Sequence, residues 1–418
     1  MHAILVNSMA MDGAGLIISQ LIHYYYDKKK PVTLICLEKN FSFDSIPSDI
    51  PVFYLSEATG KVSSLRKFIS LPLLAQKLKE RIVSENIATV QSYLQRANYV
   101  NILAKLIGAG HDAQIVNTDI ISGYYHKGLF GRINLVLIQL LYDKADMIIL
   151  KSKAMQTDMR QLFEFRVPQK ILPNPFDFDT IDQQSNLFLD AMFFGFNENK
   201  IYITALGYFE RLQNFDILIK AFEKTSHSVP QAELILIGRG PELKPLIRLS
   251  KKYNIYERVA FVQGEVNSIG FLKRSHIFVL PSSFEGFPNA LIEAMICHIP
   301  VISTDCPGGP REILAPNTNV DQQLEQGVEY AAYGVLVPVR HVDALSEAMT
   351  RLCLDATVRS RYAQNSRARA MTFHKDQILE NYKQIFYHTR KKEEDLYDTF
   401  RNESYSNMAK KTETSHHV

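Results

Sequence analysis

Short apolar runs recur along most of the chain, each followed by a longer stretch with apolar residues at helical spacing. Runs of this length bounded by turn residues predict buried strands, and the periodic stretches between them predict helices. In the first half the expected strands are 2–6, 32–37, 87–91, 113–117 and 146–150. A second alternation places strands at 201–206, 233–237, 259–263, 277–280 and 300–303. Strand and helix taking turns in this way predict parallel sheets wrapped by helices, an α/β architecture. Residues 168–176 close the first half, with Ile171-Leu172-Pro173-Asn174-Pro175 as the connection. The polar segment 316–330 interrupts the second alternation as a surface insertion. A periodic helix is expected over 376–390, and the charged, Ser/Thr-rich 391–418 reads as a disordered tail. No internal repeat is visible.

A chain of 418 residues exceeds one ordinary core and suits two domains of about 200 residues each. The expected division is 1–172 and 173–375, then the helix 376–390 and the tail. The formal net charge of +3 is too small to imply nucleic acid as a partner. Cys36, Cys297, Cys306 and Cys353 are scattered without metal-ligand spacing, which predicts small buried thiols in a reducing cytoplasm. Residues 1–6 read as a strand and not as a signal peptide. The longest apolar run, 133–141, falls far short of the ~20 residues that cross a bilayer. A soluble or peripheral cytoplasmic protein is expected.

The chemistry concentrates in the stretch 281–304, PSSFEGFPNALIEAMICHIPVIST. Glu285 lies in the small-residue loop after the strand 277–280, and Glu293 about one turn inside the helix that Pro288-Asn289 should open. Pro needs no amide donor there and Asn can cap free ones. The amides of Asn289, Ala290 and Leu291 would then face the loop, where a helix start favours an anion. One carboxylate beside phosphates and another further along suits a sugar nucleotide, whose hydroxyls need acceptors at both ends. The same residues also admit a plain reading: Glu285 offsetting the helix dipole and Glu293 solvated. The next strand opens into the loop Cys306-Pro307-Gly308-Gly309-Pro310-Arg311-Glu312. Consecutive strand ends with small-residue loops are how a doubly wound sheet builds a ligand crevice.

Glu285 and Glu293 with their spacing resemble the E-x7-E signature of retaining glycosyltransferases of the GT-B fold. The resemblance covers about 1–390 and is strongest from Ala205 to Arg340. It implies two Rossmann-like doubly wound domains facing a cleft, with the last helix crossing back to the first domain. Met9 to Gly15 is similar to the family's first glycine turn, with Gly13 approaching donor phosphates or acceptor. Gly238-Arg239-Gly240-Pro241-Glu242 looks like the family's nucleotide-proximal loop, with Gly238 and Gly240 at its glycine positions. Either loop also reads as ordinary strand–helix turn chemistry. The resemblance implies that Glu285 contacts sugar hydroxyls and Glu293 the ribose, while the turn Gly286-Phe287-Pro288-Asn289-Ala290 holds sugar and phosphate through its free backbone amides.

The main departure falls at 207–214, where family members carry Arg directly after the glycine and Lys just before the Asn. Tyr208 and Gln213 occupy those places here. Neutral groups do not offset charge on a departing diphosphate as two cations do. Arg211 is the candidate to take over the clamp, though it also reads as a solvated loop arginine. Many relatives place a His after the strand at 113–117; here Asp119 and His126 are the nearby groups. Segment 61–81, with Lys61, Arg66, Lys67, Lys77, Lys79 and Arg81 beside Leu65, Phe68, Ile69, Leu73, Leu74 and Leu78, suits an anionic membrane surface or a surface helix docked on its core.

The resemblance implies a retaining, metal-independent and cofactor-free transferase moving a hexosyl or N-acetylhexosaminyl unit from a nucleotide sugar. Its acceptor would be lipid-linked or a saccharide, as in bacterial surface-polysaccharide assembly. Two rivals stay open: a transferase-like subunit that binds nucleotide sugar with little turnover, and a nucleotide-sugar epimerase of similar architecture.

Overall fold

The computed structural model describes residues 1–9, 13–39, 46–57, 64–126, 128–187, 195–264 and 266–385. The 391–418 segment, residues 386–390 of the expected last helix and Ala10 to Asp12 of the first glycine loop lie outside these residues.

The first domain is built on the strands β1 (His2–Val6), β2 (Val32–Cys36), β3 (Val52–Tyr54), β4 (Thr89–Tyr93), β5 (Asp112–Asn117), β6 (Met147–Leu150) and β7 (Gln169–Ile171). They pair in the order β3-β2-β1-β4-β5-β6-β7, all parallel. The second domain uses β8 (Ile201–Leu206), β9 (Ala232–Ile237), β10 (Val259–Val262), β11 (Ile277–Leu280), β12 (Val301–Thr304), β13 (Glu329–Tyr330) and β14 (Val335–Val337). Their order is β10-β9-β8-β11-β12-β14-β13, parallel except for the last pair. Each sheet reverses direction once, between β1 and β4 and between β8 and β11. Loops diverge at such a point and leave a crevice at the strands' carboxyl ends.

The strands are apolar because both sheet faces are covered. On one face of the second sheet Ile203, Ala205, Leu234 and Leu236 meet Leu218 and Phe222. On the other, Phe278 and Leu280 meet Leu291, Met295 and Ile313. The four cysteines are buried free thiols.

Two segments cross between the domains side by side: Phe176 pairs with His374, and the Phe176 amide donates to the Phe373 carbonyl at 3.0 Å. After this crossing a helix over 375–385 buries Ile378, Leu379 and Tyr382 against first-domain residues. Buried Lys151, just past β6, hydrogen-bonds the Tyr382 hydroxyl, with the Tyr93 and Tyr382 rings 5.6 and 5.1 Å from its ammonium. Burial pulls that ammonium down to about 7.

Two expectations need correction. The 61–81 stretch is not one helix with one apolar side. It breaks into helices Ser64–Ile69 and Leu71–Ser84. Leu74 and Leu78 are buried in the core, while Leu65, Ile69 and Leu73 are exposed. The 316–330 insertion lies on the surface as expected, is tied down through its ends and contributes β13. Asn289 does not cap its helix: the cap position is Pro288, and Asn289 Oδ1 accepts from Asn174 Nδ2 at 2.7 Å.

Candidate active site

Both E-x7-E carboxylates stand at the carboxyl end of β11, on the reversal in the second sheet. The loop 281–288 leads into helix Asn289–Ile296, which carries Glu293. Pairing fixes the loop tightly, since the Glu285 amide donates to the Pro307 carbonyl at 3.1 Å and the Gly309 amide to the Gly286 carbonyl at 3.1 Å. Gly308 makes this possible: it adopts φ +126°, and a Cβ there would stand 1.6 Å from the Glu285 carbonyl oxygen. Gly286 is constrained from the other side, because its Cβ would lie 2.1 Å from the Thr118 carbonyl of the first domain. The domains therefore touch at the E-x7-E loop. Phe284, next in line, packs against the first-domain core.

Glu285 sits in a small polar cluster. Ser282 Oγ lies 2.6 Å from Glu285 Oε1 and 2.9 Å from Gln213 Oε1, and Gln213 Nε2 lies 3.5 Å from Glu285 Oε1. Buried Asn214 delivers Gln213 to that spot. With φ +51° it turns the chain, and its side-chain amide donates to the Pro281 carbonyl (3.0 Å) and to Ser283 Oγ (2.7 Å). The loop after β8 is thus tied to the loop after β11. Asn214 and Ser282 were not singled out by sequence; the signal for Asn214 is its residue type, since Asn tolerates a left-handed turn better than most.

Burial pushes the Glu285 carboxyl up to about 7, the Ser282 and Gln213 bonds oppose the rise, and the charges of Asp119 and Glu210 add to it. Asp119 follows β5 in the first domain, and its Oδ2 accepts from Tyr124 Oη (2.8 Å) and Gln95 Nε2 (3.2 Å). Its charge is felt at Glu285 because the Gly286 contact brings the two loops together. The side chain of His126, the other group considered there, lies outside the described residues.

Glu293 lines a separate crevice of about 170 Å³ between the domains, together with Gln20, Asn174, Thr180, Ser268 and Asn289. Burial alone pushes its carboxyl up to about 7. Gln20 and Asn174 carry buried amide oxygens with no protein partner, and such groups call for a donor. A hydroxyl-bearing ligand in the crevice would supply one.

The remaining predicted residues divide. Gly286, Phe287, Pro288, Asn289 and Ala290 form the turn joining the two carboxylates. Phe287 stacks edge-on against Phe373 at 5.3 Å, facing the domain crossing. The Leu291 amide is occupied by the Pro288 carbonyl at 3.2 Å. Gly238 and Gly240 sit beside the loop after β8, packed on Gly207 and Phe209. The Gly238 amide already donates to the Val262 carbonyl at 2.9 Å. Gly13 opens helix Gly13–Asp27. Arg211 stands apart from the Glu285 cluster, 91% exposed, with Nε 3.6 Å from Glu242 Oε1. Tyr208 is 54% exposed. Among the described residues, no group of three or more His, Cys, Asp or Glu could hold a metal ion.

Residues 191–369, which contain this site, match the family model described as Glycosyl transferases group 1. An N-acetylgalactosamine-N,N'-diacetylbacillosaminyl-diphospho-undecaprenol 4-alpha-N-acetylgalactosaminyltransferase of Campylobacter jejuni is 27% identical over 380 residues, covering 90% of this chain and 96% of that protein. Among solved structures, sucrose-phosphate synthase from Thermosynechococcus elongatus superposes with a TM-score of 0.75 at 17% identity, covering 93% and 99% of the two chains. HepE of Anabaena in complex with UDP gives 0.70 at 20% identity, covering 92% and 99%. The fold is GT-B, shared with these structures.

Proposed function

We propose that this protein is a retaining glycosyltransferase that moves a hexosyl or N-acetylhexosaminyl unit from a nucleoside-diphosphate sugar to a lipid-linked or saccharide acceptor. The observation that carries the reading is the placement of two carboxylates at one sheet reversal, joined by a helix start: Glu285 in the Ser282–Gln213 cluster and Glu293 in the interdomain crevice. The loop that carries Glu285 meets the first domain at Gly286 and Thr118, where a transferred sugar would meet the acceptor. Glu293, with Gln20 and Asn174, offers acceptors for ribose hydroxyls. The UDP of HepE and the diphospho-undecaprenol acceptor in the name of the Campylobacter enzyme agree with donor and acceptor of these kinds. Attack and departure on one sugar face, with the leaving phosphate taking the acceptor proton, need no separate nucleophile.

Calorimetry with a panel of nucleoside diphosphates, then NMR of the anomeric configuration of any product, tests this. Retention is expected, and inversion contradicts the assignment. A second reading, a donor-binding subunit with weak turnover, is favoured by one observation: the Glu285 cluster holds Gln213 and Ser282 and, among the described residues, no cation.

For the acceptor we propose that the first domain meets an anionic membrane surface. Leu65, Ile69 and Leu73 are exposed beside Arg66 and Lys67, and Leu129 and Leu140 of helix Gly128–Leu141 are exposed nearby. The two helical regions adjoin through Phe68 stacked on Phe130 at 6.2 Å. Apolar surface with basic flanks suits anionic lipid, each cation contributing about 1 kcal/mol near the surface, screened by salt. Co-sedimentation with anionic vesicles at low salt, lost at high salt, is expected. Background binding at low salt removes the idea.

A further inference from the structure

Across the Pro307-Gly308 turn from Glu285, the two domains enclose another pocket, of about 180 Å³. Ser122, Thr157 and Asp158 line it from the first domain, and Pro307, Asp321 and Gln323 from the second. Among the described residues, no Lys, Arg or His lines it.

Its walls are built and not incidental. Asp321 and Gln323 belong to the 316–330 insertion, which a buried ion pair fastens in place. Arg311 Nε lies 2.9 and 3.0 Å from the two Asp305 carboxylate oxygens, and Arg311 also reaches Thr318 Oγ1 (3.0 Å) and Glu329 Oε2 (2.8 Å), one near each end of the insertion. The Leu324 amide donates to Asp305 Oδ2 at 2.6 Å. The opposite wall, helix Lys153–Leu162, is held by a residue of the other domain: the Lys153 amide donates to Glu312 Oε2 at 2.6 Å. Glu312 thereby satisfies a helix-start amide that the helix's own cap, Ser152, leaves over, since Ser152 accepts from Met155. The pocket exists because the domains are clasped here.

Hydroxyl, amide and carboxylate groups converge without a cation. Phosphate or a carboxylated ligand would be repelled by Asp321 and by Asp158, whose Oδ2 already accepts from the Ile121 and Ser122 amides at 2.7 and 3.1 Å. Sugar hydroxyls donate and accept at once and suit such a lining. We propose that this interdomain pocket is a subsite for an uncharged sugar residue of the acceptor, one removed from the residue that reacts. The acceptor assignment rests on the transferase reading; sugar binding itself does not.

The test is saturation-transfer NMR with methyl α-glucoside, N-acetylglucosamine, N-acetylgalactosamine and glucuronic acid as probes. Wild type is compared with the double variant Asp321→Ala/Gln323→Ala, whose melting temperature reports folding. At least one uncharged probe should bind wild type and glucuronic acid should not. Two lost hydrogen bonds should weaken the uncharged probe about tenfold. Binding undiminished in the folded variant, no uncharged probe bound to wild type, or glucuronic acid bound equally well overturns the subsite. UDP calorimetry on the same samples tests the donor reading separately, and unchanged UDP affinity in the variant is expected.

Discussion

Gln213 Nε2 stands 3.5 Å from Glu285 Oε1, at the place where family resemblance puts a lysine. Asn214 fixes this position by bonding across to Pro281 and Ser283, so a longer cationic side chain at 213 would stand beside Glu285. Gln213→Lys combined with Tyr208→Arg is therefore expected to raise transfer or donor hydrolysis, since one lost charge stabiliser at a transfer site typically costs about a hundredfold or more. Arg211→Ala is the paired test. Its side chain points into solvent beside Glu242, and the expected loss is under about threefold, as for most exposed ion pairs. Steady-state kinetics checks both. Abolished turnover in Arg211→Ala would mean that the clamp has moved to that residue.

Glu285 carries a proton in the folded protein at pH values where an ordinary carboxyl, near 4.5, has lost it, because burial raises it to about 7. Between those values the folded state binds more protons than the unfolded one, so this group destabilises the fold as pH rises through the window. Glu285→Gln removes the ionisation and keeps the shape. Its melting temperature relative to wild type should climb from pH 5 to pH 8 and level off above. A flat difference would show that Glu285 titrates normally.

Glu293→Ala should weaken nucleoside-diphosphate binding by about tenfold or more, the worth of a charge-assisted hydrogen bond. Glu285→Ala should leave that affinity near wild type and lower turnover. Calorimetry on both folded variants separates the two roles. Equal affinity loss in the two would merge them.

Gly286→Ala should act on domain closure. The added methyl would meet the Thr118 carbonyl at 2.1 Å, far inside contact distance, so the E-x7-E loop and the first domain must move apart. Transfer should fall about a hundredfold, as for misplaced reacting groups, and nucleotide binding should weaken less, through the loss of Gln20 from the crevice it shares with Glu293. Full activity would show that closure does not require this contact.

The parallel sheets were legible because their strands are buried on both faces and so read as plain apolar runs. The edge strands β3 and β7 were not, since Val52–Tyr54 and Gln169–Ile171 are short and half-buried or exposed. β14 is buried, but three residues are too few to stand out beside the insertion. Glu285 and Glu293 were readable from local text. The contacts that position them were not: Asn174 with Asn289 spans 115 residues and Lys153 with Glu312 spans 159. The first ties the connection after β7 to the second domain, and the second arises only when the two domains close on each other. The apolar positions of 64–84 illustrate the same limit, because spacing cannot say which leucines face the core and which face solvent.

The most direct test of the account is nucleoside diphosphate release from a matched nucleotide sugar, with and without a membrane lipid extract as acceptor source, for wild type and Glu285→Ala. Release that needs the extract and falls about a hundredfold or more in Glu285→Ala is the predicted result. Release that ignores the extract, or that Glu285→Ala leaves unchanged, would contradict a transferase built on this pair of carboxylates.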